Sequence, residues 1–207
     1  MTNPRCSAEA GRELRRMVRI NEGIKSVVAA AFKINLMAMN AIFLAKRAGQ
    51  SALGFGVLSN ELRSFAGDLQ QQMAALREAT SASVAAVTVL VKQSRVSRLL
   101  ERAGVEAQGE SKTLIQELLQ LRAETRLAGS NQQMATLNRG LSHMIADTVQ
   151  LVELGSVLAR SAKIEAAYGG GFSVALMQVS SDFEKMIGEI RQSLESLSGT
   201  QEEDFVA

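Results

Sequence analysis

The chain has 207 residues, a formal charge of +2 and 46% apolar residues, with one proline, one tyrosine and no tryptophan. Because the proline is Pro4, every later residue keeps the backbone N–H that a helix uses. Ala, Leu, Met, Gln, Glu and Arg are abundant, and all favour helix. β-Sandwiches and α/β domains usually carry more aromatic residues and proline-marked turns. The composition therefore predicts an all-α fold.

The charge balance predicts no strong attraction to nucleic acid or to a membrane surface. The N-terminal region carries a basic cluster that we interpret as a solvated helix face: Arg12, Arg15, Arg16 and Arg19. Cys6 is the only cysteine, which excludes an intramolecular disulfide and favours a reducing compartment. No uninterrupted apolar run reaches the roughly 18 residues of a membrane span, and the N-terminus lacks a signal-like apolar segment. We therefore expect a cytoplasmic protein without membrane insertion.

The first predicted helix carries an apolar row with alternating steps of three and four residues, which is typical of coiled-coil packing. This row comprises Met17, Ile20, Ile24, Val27, Ala31, Ile34, Ala38, Ala41, Ala45 and Ala48. A second row beside it comprises Val28, Phe32, Leu36, Met39 and Phe43. Two adjacent rows predict burial against more than one neighbour, as in a four-helix bundle or a larger assembly.

Residues 49–54 form a predicted glycine turn, after which a new row begins. It comprises Phe55, Leu58, Leu62, Phe65, Leu69, Leu76, Val84, Val87, Val91 and Leu99. Residues 104–111 are predicted to form a loop, residues 112–127 a shorter helix, and residues 128–131 a weak break.

The next predicted helix ends at the three consecutive glycines of residues 169–171. Its row comprises Met134, Leu137, Leu141, Met144, Thr148, Leu151, Gly155, Leu158 and Ala162. The last row comprises Phe172, Leu176, Val179, Phe183, Met186, Ile190, Leu194 and Leu197. We expect one elongated domain over residues 1–207, in which antiparallel hairpins at about 8–103 and about 112–198 form a four-helix bundle or coiled coil.

The two glycine turns have similar flanks, which suggests an internal repeat. Gly-Phe-Gly-Val follows the first turn at 54–57, and Gly-Phe-Ser-Val follows the second at 171–174. Leu44 precedes Phe55 by eleven residues, whereas Glu165 precedes Phe172 by seven. Aligned on these motifs, the second turn is shorter by four residues.

The first hairpin also carries a characteristic series of motifs around its turn. They are Ile-Asn-Leu-Met-Ala-Met-Asn-Ala at 34–41, Ala-Lys-Arg-Ala-Gly at 45–49, Gly-Phe-Gly-Val-Leu at 54–58 and Glu-Leu-Arg at 61–63. In this order and spacing they resemble the cytoplasmic signalling tip of bacterial methyl-accepting chemotaxis receptors. The resemblance covers roughly residues 30–66, and residues 154–183 match it only loosely.

The resemblance implies an antiparallel hairpin that contributes to a four-helix bundle, with a tip at residues 40–57 that binds a coupling protein, a histidine kinase or other receptors. The implied interaction residues are Phe32, Met39, Asn40, Phe43, Leu44, Arg47, Val57 and Glu165. The tip departs from the family because Leu44 and Gln50 replace glutamates. Glu165 keeps the first of these glutamates in the second hairpin, where Tyr168 replaces the arginine.

Two hairpins in one chain suggest either a pseudo-dimeric monomer, with all four helices from one chain, or a homo-oligomer. His143 and Cys6 cannot assemble a catalytic triad or a typical zinc site, and no Gly-Lys-Ser/Thr follows the glycines near residue 50. We therefore expect a non-enzymatic protein without a cofactor or metal. The alternative is a helical structural, assembly or adaptor protein unrelated to chemotaxis.

Overall fold

The computed structural model describes the backbone of residues 4–202 and the side chains of residues 11–122 and 132–197. Within this part of the chain there is no strand, which confirms the all-α prediction. The four helices are α1 (Pro4–Ala48), α2 (Leu53–Glu106), α3 (Glu110–Ala167) and α4 (Ser173–Glu202). Short 3₁₀ turns, Gly49–Ala52 and Gly170–Phe172, join α1 to α2 and α3 to α4.

The described residues form two compact units, and α1, α2 and α3 each contribute to both. The four-helix unit comprises residues 20–77 and 142–202 and contains both 3₁₀ turns. The three-helix unit comprises residues 4–19 and 78–141 and contains the loop between α2 and α3.

The predicted row of α1 is confirmed, since its residues from Met17 to Ala45 are buried. On α3 the prediction was only half right. Four of the predicted positions, Leu141, Thr148, Gly155 and Ala162, are buried. The other five are only half-buried: Met134, Leu137, Met144, Leu151 and Leu158. The buried row of α3 is Leu141, Ile145, Thr148, Val152, Gly155, Ala159, Ala162 and Ala166. Both rows have heptad spacing and share four positions, so spacing alone cannot select between them.

The predicted row of α2 is buried or half-buried as far as Leu76, but its continuation was only partly right. Val87 is buried as predicted, whereas Val84, Val91 and Leu99 are exposed. The small polar residues Thr80 and Ser83 are buried instead. A hydropathy pattern misses such positions because it counts only apolar residues.

The predicted break at residues 128–131 does not exist, because α3 runs without interruption from Glu110 to Ala167. A single glycine costs a helix only about 1 kcal/mol. The loop predicted at 104–111 is shorter than expected, since α2 ends at Glu106 and α3 begins at Glu110.

Both glycine turns are confirmed. The predicted alignment of the hairpins agrees with the structure before the turns, where Leu44 corresponds to Glu165, but it was wrong after them. Gly49 and Gly170 have positive φ angles of 70° and 57°, which favour glycine, and they occupy equivalent positions. They lie 121 positions apart, and the same interval joins the buried residues on either side of the turns. The pairs before the turns are Ile24 and Ile145, Ala38 and Ala159, Ala41 and Ala162, and Ala45 and Ala166. The pairs after the turns are Phe55 and Leu176, Leu62 and Phe183, Leu69 and Ile190, and Leu76 and Leu197.

One pair of buried serines supports this constant interval in detail. The Ser59 hydroxyl donates to the Phe55 carbonyl at 2.8 Å, and the Ser180 hydroxyl, 121 positions later, donates to the Leu176 carbonyl at 3.0 Å. The structural repeat therefore needs no deletion, and the Gly-Phe motifs at 54–55 and 171–172 are not equivalent.

The two hairpins of the four-helix unit pack against each other through small residues. A Cβ atom at Gly155 of α3 would lie 2.6–2.9 Å from three ring carbons of Phe65 on α2. A Cβ atom at Gly23 of α1 would lie 2.7 Å from a methyl carbon of Leu197 on α4. Helix-to-helix contact therefore requires the absence of a side chain at both glycines.

A polar cluster links α1 to α3 in the three-helix unit and corrects the prediction for one arginine. Arg16 is only 4% exposed, whereas the other arginines of the basic cluster are exposed as predicted. Its guanidinium lies 3.5 Å from the Glu13 carboxylate, which also accepts a hydrogen bond from the Asn138 amide at 3.3 Å.

Among the described residues, one stretch within Gly11–Glu106 is long and apolar enough to cross a membrane by length and composition. A third of that window is buried in the structure. Core helices of water-soluble proteins meet the same criterion, so this stretch is weak evidence for either environment.

We predict that Gly155→Ala lowers the free energy of unfolding by about 1–3 kcal/mol, because the new methyl group overlaps the Phe65 ring. Gly188→Ala is the matched control in α4, where a Cβ atom meets no other atom within 4 Å. It should stabilise the helix by about 0.5–1 kcal/mol. Urea unfolding followed by circular dichroism measures both, and equal effects would contradict this packing.

Candidate interaction surface at the first turn

The first hairpin exposes an apolar row beside its turn. This row, here called the tip row, consists of Phe32, Leu36, Met39 and Phe43 of α1, and all four side chains are exposed. Phe32 is 54% exposed and Phe43 is 60% exposed. The residues are spaced by four, three and four, so they lie along one side of the helix.

The exposure of the tip row differs from the expectation that both apolar rows of α1 are buried. The first row fills the side of α1 that faces the other helices, and its residues near the turn are alanines such as Ala38 and Ala41. The tip row is offset from this buried row around the helix, and each of its side chains is more than a third exposed.

The predicted tip residues outside the tip row differ in their positions. Asn40 and Arg47 are exposed on α1 and, at helical spacing, both adjoin Phe43. Val57 is exposed on α2, one residue after Gly56, where a Cβ atom would lie 3.4 Å from the Ala45 methyl carbon. Leu44 is half-buried and lies outside the tip row. The structure thus brings Phe32, Met39 and Phe43 together with polar neighbours, and places Leu44 apart from them.

Glu165 lies in the second hairpin and contacts the first rather than joining the tip row. Its half-buried carboxylate lies directly over Gly54, in the first turn of α2. That turn has no acidic residue of its own. A carboxylate near a helix N-terminus interacts favourably with the helix dipole. Ser51 and Gly170 are also neighbours, so the two turns lie side by side.

The two hairpins present different surfaces despite their common core. At the 121-residue interval, Phe32 corresponds to Glu153 and Met39 to Arg160, so charged residues replace two members of the tip row. Phe43 corresponds to Ile164, which is 63% exposed. A continuous apolar row therefore exists on the first hairpin and is interrupted by charges on the second.

Sequence reasoning omitted two exposed apolar residues from this surface. Leu36 lies within the tip row, and Leu53 is exposed at the start of α2. The signal for Leu36 was its place in the second row of α1. Leu53 had no signal, because it lies within the predicted turn and outside any periodic row.

The next features are those that could form a metal site or a ligand pocket in the described part of the chain. No three His, Cys, Asp or Glu side chains within it are arranged to hold a metal ion. His143 is exposed, with its Nδ1 atom 3.9 Å from an Asp147 oxygen. An open depression beside the second turn is lined by small, apolar or uncharged polar residues, among them Ser173, Met177 and Gln178.

Compared with protein-family models, curated proteins and solved structures, the chain matches none. The resemblance to chemotaxis receptors therefore depends on the motifs of the first hairpin alone.

We predict that the tip row contributes little to folding. Phe43→Ala should change the free energy of unfolding by about 0.5 kcal/mol or less, as is usual for a surface position. Phe55→Ala removes a fully buried ring and should lower the free energy of unfolding by about 3–5 kcal/mol. Chemical unfolding distinguishes them, and a loss of several kcal/mol for Phe43→Ala would show that the tip row is buried in solution.

Proposed function

We propose that this chain is a non-catalytic signal-transduction protein that binds a chemotaxis coupling protein, a histidine kinase or chemoreceptors through the first-hairpin tip at residues 40–57 and the adjoining tip row. The observation that carries the proposal is the exposed tip row. More than half of the Phe32 and Phe43 surfaces stays exposed in the folded chain, and exposed apolar patches of such residues are typical of interaction sites.

The polar neighbours of the tip row fit a protein partner. Asn40 and Arg47 lie beside Phe43, and interfaces commonly combine a buried aromatic anchor with a polar rim in which arginine is frequent. Both residues also belong to the motifs that resemble the receptor tip.

The differences between the hairpins restrict the proposed surface to the first hairpin. The second hairpin carries Glu153 and Arg160 where the first carries Phe32 and Met39. A partner that buries apolar side chains would have to desolvate these charges, which is unfavourable. One chain, acting as a pseudo-dimer of two hairpins, would then engage a partner through its first hairpin only.

We predict that Phe43→Glu raises the Kd for the coupling protein, the kinase or a receptor tip fragment by at least about tenfold. Ile164→Glu is the matched control, because it introduces the same charge at the equivalent and equally exposed position of the second hairpin. It should leave the Kd unchanged. Interferometry with each partner, and circular dichroism for helicity, measure both. Equal losses would contradict a surface restricted to the first hairpin, and no binding of the native chain to any of the three would favour the assembly-protein alternative.

We further predict that Leu44→Glu strengthens binding to the coupling protein or the kinase several-fold, because it restores the charge of the receptor motif. The four-helix unit tolerates glutamate at this position, since Glu165 occupies the equivalent site of the second hairpin. Leu44→Gln, which has the same shape without the charge, is the control. Weaker binding of the glutamate variant would show that the tip does not bind in the receptor manner.

A further inference from the structure

The far end of the three-helix unit is an amphipathic hairpin whose apolar side is uncovered. No residue from 88 to 122 is buried. The seam between α2 and α3 is set by Gly104, whose Cβ position lies 3.1 Å from a methyl carbon of Ile115. Leu100 and Leu119 are half-buried along the same seam.

Most of the exposed apolar residues of this hairpin lie on one side of the seam. Val96 and Leu99 precede Leu100 by four residues and one residue, and Leu114 and Leu118 each precede a seam residue of α3 by one. In an antiparallel pair of helices, the positions that precede the seam residues on both helices lie on the same side. Of the eight exposed large apolar residues from 88 to 122, only Val91 and Val105 lie on the other side. The remaining six are here called the hairpin face: Val89, Val96, Leu99, Leu114, Leu118 and Leu121.

The opposite side of the same hairpin is mostly polar. Arg98 and Glu101 of α2 and Gln116 and Gln120 of α3 flank the seam there, and all are exposed. The hairpin therefore has the polarity of two adjacent helices taken from a larger bundle, in which one side is solvated and the other is covered.

We propose that the hairpin face binds the same face of a second copy of this chain, so that two α2–α3 hairpins form an intermolecular four-helix bundle. The area is adequate. With Leu99 57% and Leu121 67% exposed, the six residues expose roughly 500 Å² per copy, which is the size of the largest apolar patch on a typical monomer, often an interaction site. With the polar rim, this approaches the about 800 Å² per partner that a stable complex buries.

The charges select the orientation of the second copy. Lys92 and Glu106 are both exposed and adjoin the hairpin face, fourteen positions apart and at opposite ends of it. The α2–α3 hairpins of two copies can run in opposite directions, with Leu99 of both copies at the two-fold axis. Lys92 of each copy then meets Glu106 of the other. A two-fold axis along the helices would instead bring like ends together. A self-complementary surface of this kind closes as a dimer.

This inference goes beyond the proposed function, since the hairpin face and the tip row share no residue. Sedimentation equilibrium of the native chain over about 1–100 μM should show reversible dimerisation. Leu99→Glu with Leu118→Glu should raise the dimer Kd at least about 100-fold at unchanged helicity. The matched control is Val91→Glu with Val105→Glu, which places two charges on exposed valines of the opposite side and should leave the Kd unchanged.

A cross-linking experiment tests the orientation. In a Cys6→Ser background, Leu99→Cys should give a disulfide-linked dimer on mild oxidation, whereas Val105→Cys should not. A native chain that is monomeric throughout the concentration range, a dimer insensitive to the Leu99 and Leu118 substitutions, or a Leu99→Cys chain that does not cross-link would overturn the proposal.

Discussion

The constraint on which the four-helix unit depends is the close approach of its helices near the two turns. Alanines fill the buried row of both hairpins there, including Ala41 and Ala45 in α1 and their equivalents Ala162 and Ala166 in α3. Small residues in a helix interface bring the backbones together and make room for large side chains from other helices, as Phe65 of α2 fills the space beside Gly155 of α3. The phenylalanines of α1 belong instead to a row that is offset from the buried row around the helix, and they are exposed. The tip row therefore lies beside the core and outside it.

The sequence was sufficient for the helical class, the two glycine turns and the buried row of α1, because the alternating three- and four-residue steps of that row continue without a break from Met17 to Ala45. It was not sufficient for α3. There Met144 and Ile145 are both apolar and both continue a heptad pattern from Leu141 to Thr148, so the sequence does not show which of them is buried. Nor did it reveal the buried Thr80 and Ser83, whose polarity resembles that of a surface. The Gly-Phe motifs misled the repeat alignment, because a short identity between two turns outweighed the longer pattern of burial that only coordinates provide.

The candidate site was predictable in composition but not in environment. A second apolar row on α1 is compatible with a core position in a larger bundle and with a surface for a partner, and hydropathy is equal in both cases. The charges that replace this row in the second hairpin were visible in the sequence. Their significance became clear only when the 121-residue interval paired Phe32 with Glu153 and Phe43 with Ile164. The tip row and the hairpin face belong to separate units and share no residue.

In the four-helix unit the two hairpins pack against each other within one chain. Ser26 of α1 and Ser193 of α4 test this directly, because their hydroxyl oxygens lie 3.4 Å apart, and only residues that are close neighbours can be joined by a disulfide after substitution with cysteine. In a Cys6→Ser background, Ser26→Cys with Ser193→Cys should oxidise to a disulfide within a single chain, seen as a non-reduced species of monomer mass with no free thiol. Persistent free thiols, or a disulfide formed only between chains, would contradict the packing of the four-helix unit.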